Sequence, residues 1–400
     1  MQISMSCHKY AALPLYCAVF LFTAFVCARH ASPQELITFD APGAGTGGNT
    51  GTFPTGINLR GEITGNVVTE DNFAEHGFLR TPKGEITEFD APGADPIRGC
   101  TCPVAINHFG VIAGNIIDAN YVSHGFVRTP DGEFSVVDAP GASRRLTQGT
   151  TPLMERLSSI GVDVGGVWNG GTTLTGINNF GVVTGYFIDN STSVVHGFVR
   201  TPEGEITPFD DPAAGSGFLQ GTYPNSINDF GAISGSIIDS NRQGHGFLRT
   251  RRGEFVDFNF GDGAAFLFDH INDRGVIEGS ATPEGDINTF GFLRLADGKI
   301  VTFDAPVANA GGFQRTWVYG LNDWGTATGS FSDTDILSEA FVRYADGQFF
   351  MIDVPGQISS QGTAINAKGT AVGNWFDRRN GAHGFIWSQK ELHRGMGLER

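Results

Sequence analysis

The stretch TGINNFGVVTGYFIDNSTSVVHGFVRTPEGEITPFD, residues 175–210, decides the fold. An apolar-alternating run leads into Ile177-Asn178. Asn is favoured at the first position of a type I turn, and Gly181 supplies the left-handed residue of a bulged hairpin. A second strand follows over Val182–Asp189, and a third carries His196-Gly197-Phe198-Val199-Arg200. Thr201-Pro202-Glu203-Gly204 closes the next hairpin, with Pro pre-set for the second turn position. The fourth strand, Ile206–Asp210, ends before a Pro, which cannot continue a ladder.

This unit recurs along the chain. Asn-x-x-Gly-x-x-x-Gly starts at Asn58, Asn107, Asn178, Asn228, Asn272, Asn322 and Asn366, a mean spacing of about 51 residues, near that of propeller blades. Phe stands at the third-strand position each time: Phe78, Phe126, Phe198, Phe247, Phe292, Phe341 and Phe385. The fourth-strand element is displaced by one unit. One copy, Leu36–Asp40, precedes the first Asn turn, and none follows the last. A ring accounts for the displacement, because the N-terminal strand then completes the unit begun at the C-terminus. The expected fold is all-β: a seven-bladed β-propeller of four-stranded blades, closed by that strand.

Composition agrees. Gly supplies 57 of 400 residues, about twice the usual ~7%, and Phe supplies 33. Charged residues are 17%, below the ~25% of ordinary soluble domains. The net charge of −16 is repelled by phosphate backbones and anionic lipids, which argues against a nucleic-acid partner. Residues 1–28 read as a signal peptide, with an uncharged apolar run Ala11–Val26 and small residues up to Ala28. The remainder, 29–400, reads as one exported, monomeric propeller domain without a membrane-inserted segment. Removing the leader leaves Cys100 and Cys102, a pair that can close a small strained disulfide or persist as thiols, and two Cys are too few for zinc on their own.

The Asn-x-x-Gly-x-x-x-Gly and His-Gly-Phe signatures, the latter starting at residues 76, 124, 196, 245 and 383, resemble the HAF repeat family. Repeat five (Phe290-Gly291-Phe292) and repeat six (Glu339-Ala340-Phe341) depart from it. The resemblance covers about residues 36–388 and implies an extracellular, mostly bacterial, repeat protein; it carries no activity and no catalytic residues.

Repeated residues read as structure, and departures from the repeat as candidates for function. The five repeat histidines, spread around the ring in separate units, would not converge on one ion and are expected to be buried against a neighbouring Asp or Asn. The Asp before Ala-Pro reads as a turn-capping acceptor, and the Arg after most Phe residues as an ion-pairing or stacking group. Loops between second and third strands offer Asp118, Asp189, Asp239 and Asp333 as metal candidates, calcium foremost, against a reading as solvated turn carboxylates. An insertion near 143–172 holds Arg144, Arg145 and Trp168 beside a short helix expected from Thr151-Pro152. Tyr223, Arg315 and Trp317 stand in other inter-blade connections, and these six residues are the candidate ligand contacts. No Gly-x-Ser-x-Gly, His-Glu-x-x-His or phosphate-loop motif occurs. The leading expectation is an exported scaffold binding a carbohydrate or protein through its variable loops. A polysaccharide hydrolase or lyase and a structural cell-surface protein are the alternatives.

Overall fold

The computed structural model describes residues 34–71, 74–95, 99–143, 170–260, 265–283, 286–306, 314–332 and 337–389. All regular structure among them is β-strand, and no helix there is long and apolar enough to cross a membrane.

The strands pair as consecutive antiparallel quartets. In the first, β2 (Gly51–Ile57), β3 (Ile63–Val68), β4 (Glu75–Arg80) and β5 (Ile86–Phe89) pair in order. The same order holds for β6–β9, from Thr101–Ile106 to Phe134–Val137, and for β10–β13, from Gly171–Ile177 to Ile206–Phe209. It recurs in β14–β17 (Gly221–Ile227 to Phe255–Phe258), β18–β21 (Ala265–Ile271 to Ile300–Phe303) and β22–β25 (Arg315–Leu321 to Phe349–Ile352). After β26 (Ser359–Ile365), β27 (Ala371–Phe376) and β28 (Ala382–Gln389), the fourth place is taken by β1 (Gln34–Phe39). The β1–β28 register runs from Gln34↔Gln389 to Phe39↔Gly384, as expected for a displaced N-terminal strand. Several quartets join through single parallel residue pairs such as Gly171↔Ser123, so no continuous sheet closes on itself as a barrel.

The repeat residues explain the quartet. Asn178 Oδ1 accepts the N–H groups of Phe180 and Val182, both at 3.0 Å, which fixes the turn. Gly181 adopts φ 76°, a conformation that glycine takes without steric cost. The second glycine, Gly185, has another reason: a Cβ there would collide with the Thr173 carbonyl across the bulge at Leu174/Gly176. Phe198 packs beneath it, fully buried, as are Phe78, Phe126, Phe247, Phe341 and Phe385. Filling each interior with one large ring at native density leaves no room for a side chain at that glycine.

Neighbouring quartets are held by the Arg after most of these Phe residues. Arg80 stacks over Phe39, Arg128 over Phe89, Arg249 over Phe209, Arg294 over Phe258 and Arg343 over Phe303, at 4.3–5.5 Å from the ring centroid. Each of these rings belongs to the preceding quartet, so the stacking alternative is the one realised. Arg200 faces a quartet with Val137 at the ring position, and donates instead to Ser135 Oγ at 3.2 Å.

Two repeat-level expectations are corrected. The histidines are half-buried rather than buried, about a quarter of each side chain remaining exposed. In four of the five the partner is the Asp that follows the fourth strand, which accepts from His Nδ1 instead of capping a turn: His76–Asp90 at 2.7 Å, His124–Asp138 at 2.6 Å, His196–Asp210 and His383–Asp40 at 2.8 Å. The reason is register. Third and fourth strands are adjacent, and a constant separation of fourteen residues brings the two groups together.

Candidate functional site

The Asn turns meet at one place. Asn58 Nδ2 donates to the Asn107 carbonyl, Asn107 to Asn178, Asn178 to Asn228, Asn228 to Asn272, Asn272 to Asn322, Asn322 to Asn366, and Asn366 back to Asn58, every bond 3.0–3.1 Å. This belt of buried amides frames a cavity of about 210 Å³, whose wall includes Ile57, Ile106, Ile177, Ile227, Ile271, Leu321 and Ile365. The Pro-x-Gly turns share this end, with Pro82, Pro130 and Pro202 beside Gly61, Gly110 and Gly181.

The residue after each Asn varies, and His108, Asn179, Asp229, Asp273, Asp323 and Ala367 line this cavity. His108 N–H donates to Asn179 Oδ1 at 2.8 Å, and Asn179 N–H to Asp229 Oδ1 at 2.8 Å. Asp229 N–H donates to Asp273 Oδ1 at 2.8 Å, and Asp273 N–H to Asp323 Oδ1 at 3.0 Å. Leu59 and Ala367 lack an acceptor and interrupt this inner arc, so the mouth is polarised. Three neighbouring carboxylates, Asp229, Asp273 and Asp323, occupy one side. Burial raises the Asp273 pKa, and the charges of Asp229 and Asp323 raise it further. A cationic group there would relieve both effects.

The next residue of each turn does not line the cavity, and in four turns it is an exposed aromatic. Phe109 is 58% exposed, Phe180 70%, Phe230 66% and Trp324 61%. Three consecutive turns thus present Phe rings to solvent, while Arg60, Arg274 and Lys368 hold equivalent positions elsewhere. Trp324 Nε1 donates to the Ala367 carbonyl at 3.0 Å, and the Arg274 guanidinium lies 4.7 Å above the Trp324 ring. Single exposed aromatics are ordinary on protein surfaces, whereas a set gathered on neighbouring turns is a candidate for a binding surface.

Among the described residues, none of those chosen from the sequence lies in this constellation. Tyr223 is buried in β14, its hydroxyl donating to the Leu219 carbonyl at 2.9 Å and its ring 5.3 Å from Tyr186. It is a core residue, because its ring packs against Tyr186 of the preceding quartet, where a large side chain fills space. Arg315 and half-buried Trp317 likewise stand within strand β22 rather than in a connection, and Arg315 Nε donates to the Ile287 carbonyl at 3.3 Å. Arg144, Arg145, Trp168, the expected helix and Asp333 lie outside the described residues.

The remaining metal candidates cap their own loops. Asp118 Oδ1 accepts the N–H groups of Asn120 and Val122, and Asp239 Oδ1 those of Asn241 and Gln243. Asp189 accepts from the hydroxyls and N–H groups of Ser191 and Thr192, and the Ser191 hydroxyl is the largest cause of its strongly lowered pKa. Asp118 Oδ2 and Asp239 Oδ2 instead face His124 at 3.6 Å and His245 at 3.4 Å. The signal that could have identified the mouth was present: the x-x of Asn-x-x-Gly reads His-Phe, Asn-Phe, Asp-Phe, Asp-Arg and Asp-Trp in successive turns.

No family model matches the chain, and no curated protein does. Among solved structures it is similar to puromycin hydrolase, at 11% identity and TM-score 0.49, over 81% of this chain and 50% of that one. It is also similar to an ulvan lyase (10% identity, TM-score 0.48, covering 88% of this chain and 95% of that one). A third is the Aleuria aurantia lectin with a bound fucosyl disaccharide (9%, TM-score 0.42, 81% and 95%). The chain spans about half the length of puromycin hydrolase.

Proposed function

We propose that the chain is an exported seven-bladed β-propeller that binds a basic, partly apolar peptide segment of a partner protein at the axial mouth framed by its Asn turns. The cyclic Asn belt and the β1–β28 pairing support the ring. The observation that carries the binding reading is the arc of Asp229, Asp273 and Asp323 beneath the exposed rings of Phe180, Phe230 and Trp324. Each of these carboxylates gives Oδ1 to a backbone N–H of the preceding turn. That bond fixes the group without neutralising it, and Lys or Arg side chains would complete the charge while their stems and neighbours cover the rings. A rigid frame also lowers the ordering cost of binding.

The test is a panel of peptides with and without Lys/Arg flanked by apolar residues, measured by calorimetry beside a glycan array. Basic peptides are expected to bind, more weakly as salt rises. Asp229→Asn and Asp323→Asn should each weaken binding about tenfold, or ~1.4 kcal/mol. Glycan binding with no response to peptides would refute the peptide reading, as would peptide binding unchanged in both variants.

A further inference from the structure

At the opposite ends of the strands from the Asn turns, three departures from the repeat fall together. Where other quartets join through Gly51↔Ala382, Gly171↔Ser123 and Gly221↔Val195, the pair here is Cys100↔Glu75. Two residues on, Cys102 stands opposite Asn115 in β6. The Cys100 Sγ, the Cys102 Sγ and a Glu75 carboxylate oxygen all lie within 4.8 Å of one another. The Cys102 thiol points at Glu75 Oε2 at 3.1 Å, and Asn66 Nδ2 donates to the same oxygen at 2.9 Å, fixing the carboxylate.

We propose that Glu75, Cys100 and Cys102 bind a thiophilic divalent cation of the zinc class. Two thiolates and a carboxylate are ligands that Zn²⁺ accepts, and three protein ligands leave a fourth position open. The two cysteines that are insufficient alone gain a third ligand from the neighbouring quartet. Binding replaces the two thiol protons, which leave to solvent, while the carboxylate enters already ionised. Asn66 acts as a positioning residue, holding Glu75 in a fixed orientation as outer-shell partners do. The competing fate of the thiols is a mutual disulfide. An extended strand sets residues two apart about 6.6 Å apart at Cα, at the upper edge of disulfide geometry, which favours the thiol pair. The site is remote from the axial mouth and stands or falls independently of peptide binding.

The experiment uses the full chain, reduced and metal-free, titrated with Cd²⁺ while the thiolate-to-metal absorption is followed, then with Zn²⁺ against a chromophoric chelator. One equivalent is expected, with Zn²⁺ protecting Cys100 and Cys102 from alkylation, read peptide by peptide by mass spectrometry. Glu75→Gln should weaken binding at least tenfold with the fold retained by circular dichroism. Cys102→Ser should abolish the thiolate band. Absence of protection at Cys100 and Cys102 in the reduced chain would overturn the proposal, as would full affinity in Glu75→Gln. If the serine variant fails to fold, protection in the unaltered chain still decides.

Discussion

Asn178 shows how much one repeated residue does. Its Oδ1 holds two backbone N–H groups of its own turn, and its Nδ2 satisfies the Asn228 carbonyl of the next. It is 5% exposed, so water cannot replace these bonds without opening the belt. Leaving a buried group unpaired costs roughly 1–3 kcal/mol. Asn178→Ala is therefore expected to lower unfolding free energy by about 3 kcal/mol in urea titration. Asn178→Asp keeps the turn acceptor but sets a carboxylate against the Asn228 carbonyl, and at neutral pH it should be no milder than Ala. An Asp variant as stable as the wild type would show that the Nδ2 bonds do not hold the turns together.

At the residue scale the sequence was legible where a side chain serves its own turn and opaque where its partner is distant in the chain. Asn, the left-handed Gly and the buried Phe act within a few residues or one hairpin, and their spacing exposes them. The Nδ2 bond from Asn58 to Asn107 spans 49 residues, and the Glu75 contact with Cys102 spans 27; neither leaves a local pattern. Tyr223 misled for a related reason, since an aromatic outside the repeat consensus reads the same whether it faces ligand or core. Asp211 is a departure that no motif flagged: it is 3% exposed where other quartets place Ala41, Ala91, Ala139 and Ala305. Burial, and then Asp257, raise its pKa to about 6.

Among elements, the third-to-fourth strand pair His124–Asp138 gives a pH-dependent contribution. The Asp138 hydrogen bond is the largest cause of the raised His124 pKa, with Asp138 and Asp118 charges adding to it against burial. A histidine whose folded pKa exceeds its unfolded value near 6.5 stabilises the fold fully below that value. The contribution fades as pH rises through the folded pKa. Asp138→Asn removes the main cause, so the variant's melting temperature should fall less steeply than the wild type's across this window. Parallel curves for the two proteins would contradict that assignment. The strands were legible in the sequence, and the constant fourteen-residue step from His to Asp was also readable. What hid the pairing was a local habit: Asp before Ala-Pro has an obvious turn role, and the register that gives it another appears only when strands are paired.

For the molecule as a whole, the displaced fourth-strand element was the decisive sequence signal, because only closure gives Gln34–Phe39 a partner at Ala382–Gln389. The proposed binding mouth was hidden for the opposite reason. Its residues occupy the variable positions of an otherwise uniform turn, on the end that uniformity made look inert. The most direct measurement of the proposed ring is a cross-link across its seam. Glu35 and Ser388 are in register on β1 and β28, so Glu35→Cys with Ser388→Cys, in a background whose other cysteines are serine, should oxidise within one chain. Such a link spans most of the sequence and, on the chain-entropy model, should stabilise by on the order of 5 kcal/mol, raising the unfolding midpoint. Chains that link only to one another, or that link internally with no gain in midpoint, would contradict closure by the N-terminal strand.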